Sequence, residues 1–274
     1  MRLYITGGSG YLGSMLVQLA TAHGWNVRYS VCRQHSTDDR ADTIDLRKRG
    51  NLSDALSAFK PDAVIHTAYV QHDPDLHAIT VLGAIEAAAA SARLRARHIH
   101  MSSDMVFAGT ASEYDEIDMP TPILPYGTAK AIAEAGVTQA HPEASIVRTS
   151  LIYSPLHMPP SRHEQIALDA ASGQNDMAFF VDELRCPVLV DELAHALLIL
   201  LGQKHRGPLH LVGAHAISRY DFATKIVAAR GGDATKINAS SLTTIQVQRP
   251  ARLVLKSSYP HPAWRLRGVH EVLA

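Results

Sequence analysis

The sequence predicts an α/β fold: a Rossmann-type doubly wound parallel sheet with a smaller C-terminal lobe. Three observations carry that prediction. A short apolar strand runs into a glycine-rich turn at "YITGGSGYLGS" (Tyr4–Ser14). β-rich runs then alternate with helical runs through the first half of the chain, the pattern of successive βαβ units. After Tyr153 the alternation fades into the proline-bearing stretch "SPLHMPPSRHE" (Ser154–Glu164), which reads as a loop.

The expected strands are Leu3–Thr6, Asn26–Val31, Ala63–Thr67, His98–Ser102 and Ser145–Thr149. Helical periodicity falls between them at Tyr11–His23, Leu52–Phe59, Ile79–Ala92 and Tyr126–Gln139. Gly24 fits the position just past a helix C-terminus, and "KPD" (Lys60–Asp62) punctuates the step into the next strand. Right-handed crossovers turn such units into a doubly wound sheet. In the later half a helix is expected near Gln165–Ser172, then a strand-like "CPVLV" and a helix at Glu192–Leu201. "GPLHLVG" (Gly207–Gly213) reads as a strand and Asp221–Arg230 as a helix.

The chain has 274 residues, 46% of them hydrophobic, enough for a sizeable core. Lys+Arg and Asp+Glu both count 26, so no charge excess marks a nucleic-acid or membrane-surface partner. The only cysteines, Cys32 and Cys186, form neither a disulfide framework nor a metal-ligand spacing. The longest apolar run, "ALLILL" (Ala196–Leu201), is far too short to span a bilayer. No basic n-region or cleavage site precedes the first strand, so a soluble, cytoplasmic protein is expected. Of the sixteen histidines, His66, His72, His77, His98 and His100 lack i, i+4 spacing with a partner carboxylate; no metal is expected. The alanine run "AIEAAAASA" (Ala84–Ala92) suits close packing of a helix on the sheet, with a homodimer seam as the alternative.

A strand, a glycine turn and a helix N-terminus together make an anion site, because backbone N–H groups and the helix dipole face the ligand. Here Gly7, Gly10 and Gly13 give G-x-x-G-x-x-G, with Tyr11 and Leu12 opening the helix. This spacing differs from the usual G-x-G-x-x-G, yet the flanking elements match a dinucleotide site. NAD-binding versions carry an acid at the end of the second strand. This strand ends "YSVCRQ" and offers Arg33, whose guanidinium suits a 2′-phosphate. NADP(H) is therefore the expected cofactor. Asp38 and Asp39 leave NAD(H) open as the alternative.

"PYGTAK" (Pro125–Lys130) places Tyr126 and Lys130 on one helix face. An ammonium beside a phenol favours the phenolate and equips the tyrosine to exchange a proton with a carbonyl. "HMSSDMVF" (His100–Phe107) ends a strand with Ser102 and Ser103, hydroxyls able to hold a substrate oxygen.

Together with "TGGSGYLG", these pieces resemble the extended short-chain dehydrogenase/reductase superfamily over nearly the whole chain. Within it, "SSDMVFAG", "VRTSLIY" (Val147–Tyr153) and "RPARLVLKSS" (Arg249–Ser258) are similar to segments of the dTDP-4-dehydrorhamnose reductases. "RCPVLVDELA" (Arg185–Ala194) is similar to sugar-nucleotide epimerases and dehydratases. The resemblance implies cofactor contacts at Gly7, Gly10, Tyr11, Leu12, Gly13, Arg33, Asp45, Leu46, Thr67, Ala68, Tyr69, Tyr126 and Lys130, with Asp45 beside the adenine. It implies a catalytic set of Ser103, Tyr126 and Lys130. Substrate contacts are implied at Ser103, Asp104, Met105, Arg148 and Arg185; the two arginines suit a diphosphate, or else form structural ion pairs. Departures are Met105 for the usual aromatic, Ser103 for threonine, and Lys256 where an acid is common.

The implied activity is NADP(H)-dependent reduction of the 4-keto group of a nucleotide-diphosphate sugar. Tyr126 would protonate the forming alkoxide, Ser103 would orient the carbonyl, and Lys130 would tune Tyr126 and hold the ribose. The expected partner is a small nucleotide sugar. A sugar-nucleotide epimerase or dehydratase is one alternative, although Asp104 is followed by Met105 and not by the acid a 4,6-dehydratase pairs with it. A non-catalytic NADP-binding regulatory subunit is another. The expected division is residues 1–152 with 187–213 as the NADP(H)-binding domain, and residues 153–186 with 214–274 as the substrate lobe.

Overall fold

The computed structural model describes the chain apart from residues 33–35, 72–73, 247, 260 and 274. In chain order its elements begin with β1 (Arg2–Thr6), α1 (Tyr11–Ala22), β2 (Asn26–Val31), β3 (Ala41–Thr43), α2 (Asn51–Phe59) and β4 (Ala63–His66). A π-helical stretch, His77–Leu82, leads into α3 (Gly83–Arg93), followed by β5 (Arg97–Ser103), α4 (Pro125–Ala140) and β6 (Ser145–Thr149). Then come β7 (Ile152–Tyr153), α5 (Arg162–Ala171), β8 (Ala178–Phe180), β9 (Leu184–Arg185), β10 (Val188–Leu189) and α6 (Val190–Leu201). The last are β11 (Gly207–His210), β12 (Ile217–Ser218), α7 (Arg219–Ala229), β13 (Asn238–Ser240) and α8 (Val269–Val272).

Seven strands form the main sheet in the order β11-β6-β5-β4-β1-β2-β3. The reversal of direction beside β1 is the doubly wound arrangement expected from the alternation. Thr6 pairs in parallel register with His66, and His66 with His100, which aligns the C-terminal ends of β1, β4 and β5. β1 and β4 are buried on both faces and carry mostly apolar side chains.

Contacts divide the chain into two compact units. The first comprises Met1–Ser103, Pro125–Arg148 and Ala194–Leu209; the second comprises Asp104–Leu124, Thr149–Leu193 and His210–Ala274. The segment Asp104–Leu124 falls in the second unit, whereas the sequence reading draws it with the first.

Within the first unit, small residues set the helix spacing. Ala84 and Ala88 of α3 pack with Ala133 and Val137 of α4 and with Ile146 of β6. At Gly136 an added Cβ would lie 2.4 Å from Ile85 Cδ1. The alanine run is thus taken up within the chain. The single helix expected over Ile79–Ala92 is instead a π-helical stretch followed by α3. Buried Thr80 in that stretch accepts from Val70 N at 3.1 Å and donates to Val70 O at 3.0 Å.

The second unit holds three two-stranded pairings, β7 with β10, β9 with β12 and β8 with β13. α5 and α7 close one core around Phe179, Val227 and Ile237. α5 starts three residues before the expected Gln165. The cause is a capping box in "SRHE": Ser161 Oγ accepts from Glu164 N, and Glu164 Oε2 accepts from Ser161 N at 2.8 Å. Among the described residues no helix is long and apolar enough to cross a membrane.

Candidate active site

The glycine turn sits at the C-terminal end of β1. Gly7 has φ +69°, a left-handed conformation that suits glycine. A Cβ on Gly13 would lie 2.2 Å from Gly7 O, so α1 can approach the turn only without a side chain there. Gly8 donates to Ser30 O at 2.9 Å and Gly7 to Ser30 Oγ at 3.1 Å, which ties the turn to β2. Gly10 precedes α1 with no side-chain cap, and the first turn of α1, opened by Tyr11 and buried Leu12, carries no acid. The positive end of this helix is therefore uncompensated by its own residues and suited to a phosphate.

Thr67 and Ala68 press against the same turn. Both donate their N–H to Thr6 Oγ1, at 3.1 and 3.3 Å, and Thr67 Oγ1 donates to Thr6 O at 2.6 Å. A Cβ on Gly7 would be 3.0 Å from Ala68 Cα. Asp45 pairs with Arg47 at 2.8 Å, which holds its carboxyl down near a pKa of about 2. Buried Leu46 packs over Gly83 at the start of α3. Asp38 accepts from Arg40 and from Tyr29 Oη, and these bonds keep it well below the usual carboxylate range. Arg33 lies outside the described residues, as does His72.

Tyr126 and Lys130 lie one turn apart on α4. Lys130 is only 2% exposed; its Nζ donates to Met101 O of β5 at 2.8 Å and reaches no carboxylate among the described residues. It stands 4.8 Å from the Tyr69 ring centroid and 5.9 Å from that of Tyr126, and the two rings are 5.7 Å apart. Burial pushes its pKa down to about 7, against the pull of Glu134. Ser103 is half-buried at the end of the strand whose carbonyl holds Lys130.

Ser102, the neighbouring candidate, points to the opposite face of β5 as strand alternation requires. Its hydroxyl donates to Glu134 at 2.5 Å. Glu134 in turn pairs with Arg148 through Nε and Nη2 at 3.1 and 2.8 Å, and both residues are buried. The diphosphate contact expected at Arg148 is therefore corrected: this guanidinium is enclosed with its carboxylate inside the first unit.

Two histidines lie beneath Lys130. His66 and His100 are buried and stacked, with ring centroids 5.5 Å apart. Thr6 Oγ1 already accepts two backbone N–H groups, so its hydroxyl proton goes to His66 Nδ1 at 2.8 Å and the ring carries its hydrogen on Nε2. Burial, then the Lys130 charge, pushes His66 down to about 3 and His100 well below the usual value. Both rings stay neutral. Among the described residues no group of three or more His, Cys, Asp or Glu is placed to hold a metal ion.

Asp104, Met105 and Arg185 belong to the second unit. Asp104 pairs with Arg185 at 3.2 Å and accepts from Ser150 Oγ at 2.6 Å. Arg185 also bonds Glu183 at 2.9 Å, and Glu183 pairs with Arg249 at 3.0 Å. Arg185, expected at a diphosphate, is thus bonded to two carboxylates and buried within its own unit. Met105 sits half-buried in the short 3₁₀ turn Asp104–Val106. Sequence reasoning passed over Thr6, Glu134 and Glu183. Glu134 was accessible to it, since it lies four residues beyond Lys130 on the same helix.

Comparison with known proteins agrees with this geometry. The RmlD substrate binding domain family matches residues 1–266. A probable low-salt glycan biosynthesis reductase, Agl14, of Haloferax volcanii is 30% identical over 94% of this chain and 90% of its own length. The dTDP-4-dehydrorhamnose reductase of Mycobacterium tuberculosis is 28% identical over 98% and 88%. Among solved structures, the dTDP-4-dehydrorhamnose reductase of Bacillus anthracis in complex with NADP superposes with a TM-score of 0.84, covering 99% of this chain and 96% of that one at 21% identity. The chain belongs to the RmlD substrate binding domain family, a family of sugar-nucleotide reductases within the extended short-chain dehydrogenase/reductase superfamily.

Proposed function

We propose that the protein reduces the 4-keto group of a nucleotide-diphosphate sugar with NADP(H), the first unit holding the cofactor and the second the sugar nucleotide. The observation that carries this reading is Lys130, a buried amine beside the Tyr126 and Tyr69 rings that bonds no carboxylate among the described residues. A cation in that position has its largest effect on the tyrosine hydroxyl next to it.

The residues present fit a dinucleotide. The uncapped start of α1 and the close approach enforced at Gly7 and Gly13 suit a pyrophosphate, and Asp45 offers acceptor oxygens for an adenine amino group. When bound, the nicotinamide supplies the hydride. Ser103 donates a hydrogen bond to the substrate carbonyl and orients it. Tyr126 gives its proton to the oxygen as negative charge develops there, and Lys130 stabilises the phenolate left behind while reaching the ribose hydroxyls. Arg33 favours NADP(H) over NAD(H). Commitment of Asp38 to Arg40 and Tyr29 supports that preference.

The test is a screen of NADPH oxidation over nucleotide-linked 4-keto sugars, with products read by mass spectrometry. The expected result is turnover with at least one such sugar and a product two mass units heavier than its substrate. A protein that binds NADPH tightly and reduces none of them contradicts the reading and places the chain among cofactor-binding subunits.

A further inference from the structure

We propose that Arg219 receives an anionic oxygen of the bound ligand, either a phosphate or a carboxylate on the sugar. The proposal deepens the reductase reading, which supplies the ligand's identity; the anion site itself rests on the second unit alone.

Arg219 opens α7, directly after the N-cap Ser218. Its backbone N–H donates to Glu183 O at 2.9 Å, which fixes the residue beside the Asp104–Arg185–Glu183–Arg249 cluster. Its guanidinium behaves differently from the others. Nη1 is fully buried, and no hydrogen bond or ion pair engages the side chain among the described residues. A buried donor without a partner costs roughly 1–3 kcal/mol, more when it is charged. The position is adverse in two further ways. A cation in the first turn of a helix meets the positive end of the dipole. Arg185 and Arg249 repel it, and both are already bonded to the two carboxylates nearby.

Among the described residues of this cluster, three guanidiniums (Arg185, Arg219, Arg249) thus stand against two carboxylates (Asp104, Glu183). One positive charge is left over, and it resides on the arginine with no bond. His163, in the first turn of α5, reports the same field. Burial, then the charges of Arg219, Arg162 and Arg185, hold its pKa down to about 4, so it stays neutral and adds no further cation. Arg219 itself is pushed down to about 10, by burial first. It keeps its charge at neutral pH at a cost that an incoming anion would relieve, through the fork geometry a guanidinium offers to phosphate or carboxylate.

The experiment is calorimetric titration of wild type, Arg219→Met and Arg219→Lys with inorganic pyrophosphate, UDP-glucose, UDP-glucuronate and NADPH. Arg219→Met is expected to weaken anion binding roughly 10–100-fold, the scale of a lost hydrogen bond to a charged group, with Arg219→Lys in between. NADPH affinity is expected to be the same in all three proteins, which also certifies their folding. Loss spread over pyrophosphate and both sugar nucleotides identifies the phosphate as the recognised group. Loss confined to UDP-glucuronate identifies the sugar carboxylate. Unchanged binding of every anion by Arg219→Met overturns the proposal, as does a wild type that binds none of them. A wild type that binds pyrophosphate through Arg219 but no sugar nucleotide upholds the anion site and contradicts the reductase reading.

Discussion

Arg148 is buried in the first unit and Arg219 has a buried nitrogen in the second, and the protein treats them in opposite ways. Arg148 is enclosed with Glu134, which bonds it through two nitrogens and also accepts from Ser102. Arg219 has a buried nitrogen, two repelling arginines and no side-chain bond among the described residues. A buried charge with its full set of partners is part of the scaffold, and removing one partner strands the other. A charge retained without a side-chain partner is one that a bound anion would relieve. Lys130 belongs with Arg219 in this respect, since its amine has a carbonyl and two aromatic rings around it and bonds no carboxylate among the described residues.

The largest effect expected from this contrast is on stability. Arg148→Met leaves Glu134 buried and uncompensated and is expected to cost about 3–5 kcal/mol in urea unfolding. The double variant Arg148→Met/Glu134→Leu recovers most of that loss, because no charge is then stranded. A single variant as stable as wild type breaks the assignment of Arg148 to the scaffold.

Next in size is the acid response of the buried histidines. His100 is neutral in the folded chain and protonates near pH 6.5 when unfolded, so the unfolded state binds the extra proton below that pH and stability falls. Each such histidine contributes a loss of about 1.4 kcal/mol per pH unit, roughly 2 kcal/mol between pH 6.5 and 5. Stability measured against pH is expected to show a flatter acid limb in His100→Phe by that amount. An unchanged slope contradicts the neutral, buried state.

A further arginine extends the contrast to the cofactor. Arg33→Ala is expected to weaken NADPH binding by about 1–3 kcal/mol and leave NADH nearly unchanged. Equal losses for both remove its role at the 2′-phosphate. The smallest effect belongs to Arg219→Met, expected to alter unfolding free energy by no more than about 0.5 kcal/mol or to stabilise the chain, because no partner is stranded. A cost like that of Arg148→Met erases the distinction between the two arginines.

The sequence made the first unit legible because its signals are local and strong. β1, β2 and β6 are found within a residue of their expected bounds, and the glycine turn needs no partner to be recognised. Tyr126 and Lys130 share a helix face by spacing alone. The second unit was harder. β7, β9, β10 and β12 are two residues each, too short for any periodicity to show. The early start of α5 was written in "SRHE" and missed because the prolines before it read as a longer loop. The arginines posed a different problem. Whether Arg148 meets a ligand or a carboxylate depends on Glu134 across the fold, and no local pattern reveals such a pairing. Arg219, inside "ISRYDF", drew no attention because its significance lies in the bonds it does not make.

The central claim is that Tyr126, set beside an unneutralised Lys130, delivers the proton that accompanies hydride transfer. Single-turnover stopped-flow of NADPH oxidation, with a nucleotide-linked 4-keto sugar and wild type compared with Tyr126→Phe, measures that step directly. The account predicts a rate roughly 10²–10⁴-fold lower in the variant, the range for a lost general acid, with NADPH affinity unchanged. A Tyr126→Phe protein that oxidises NADPH at the wild-type rate contradicts it.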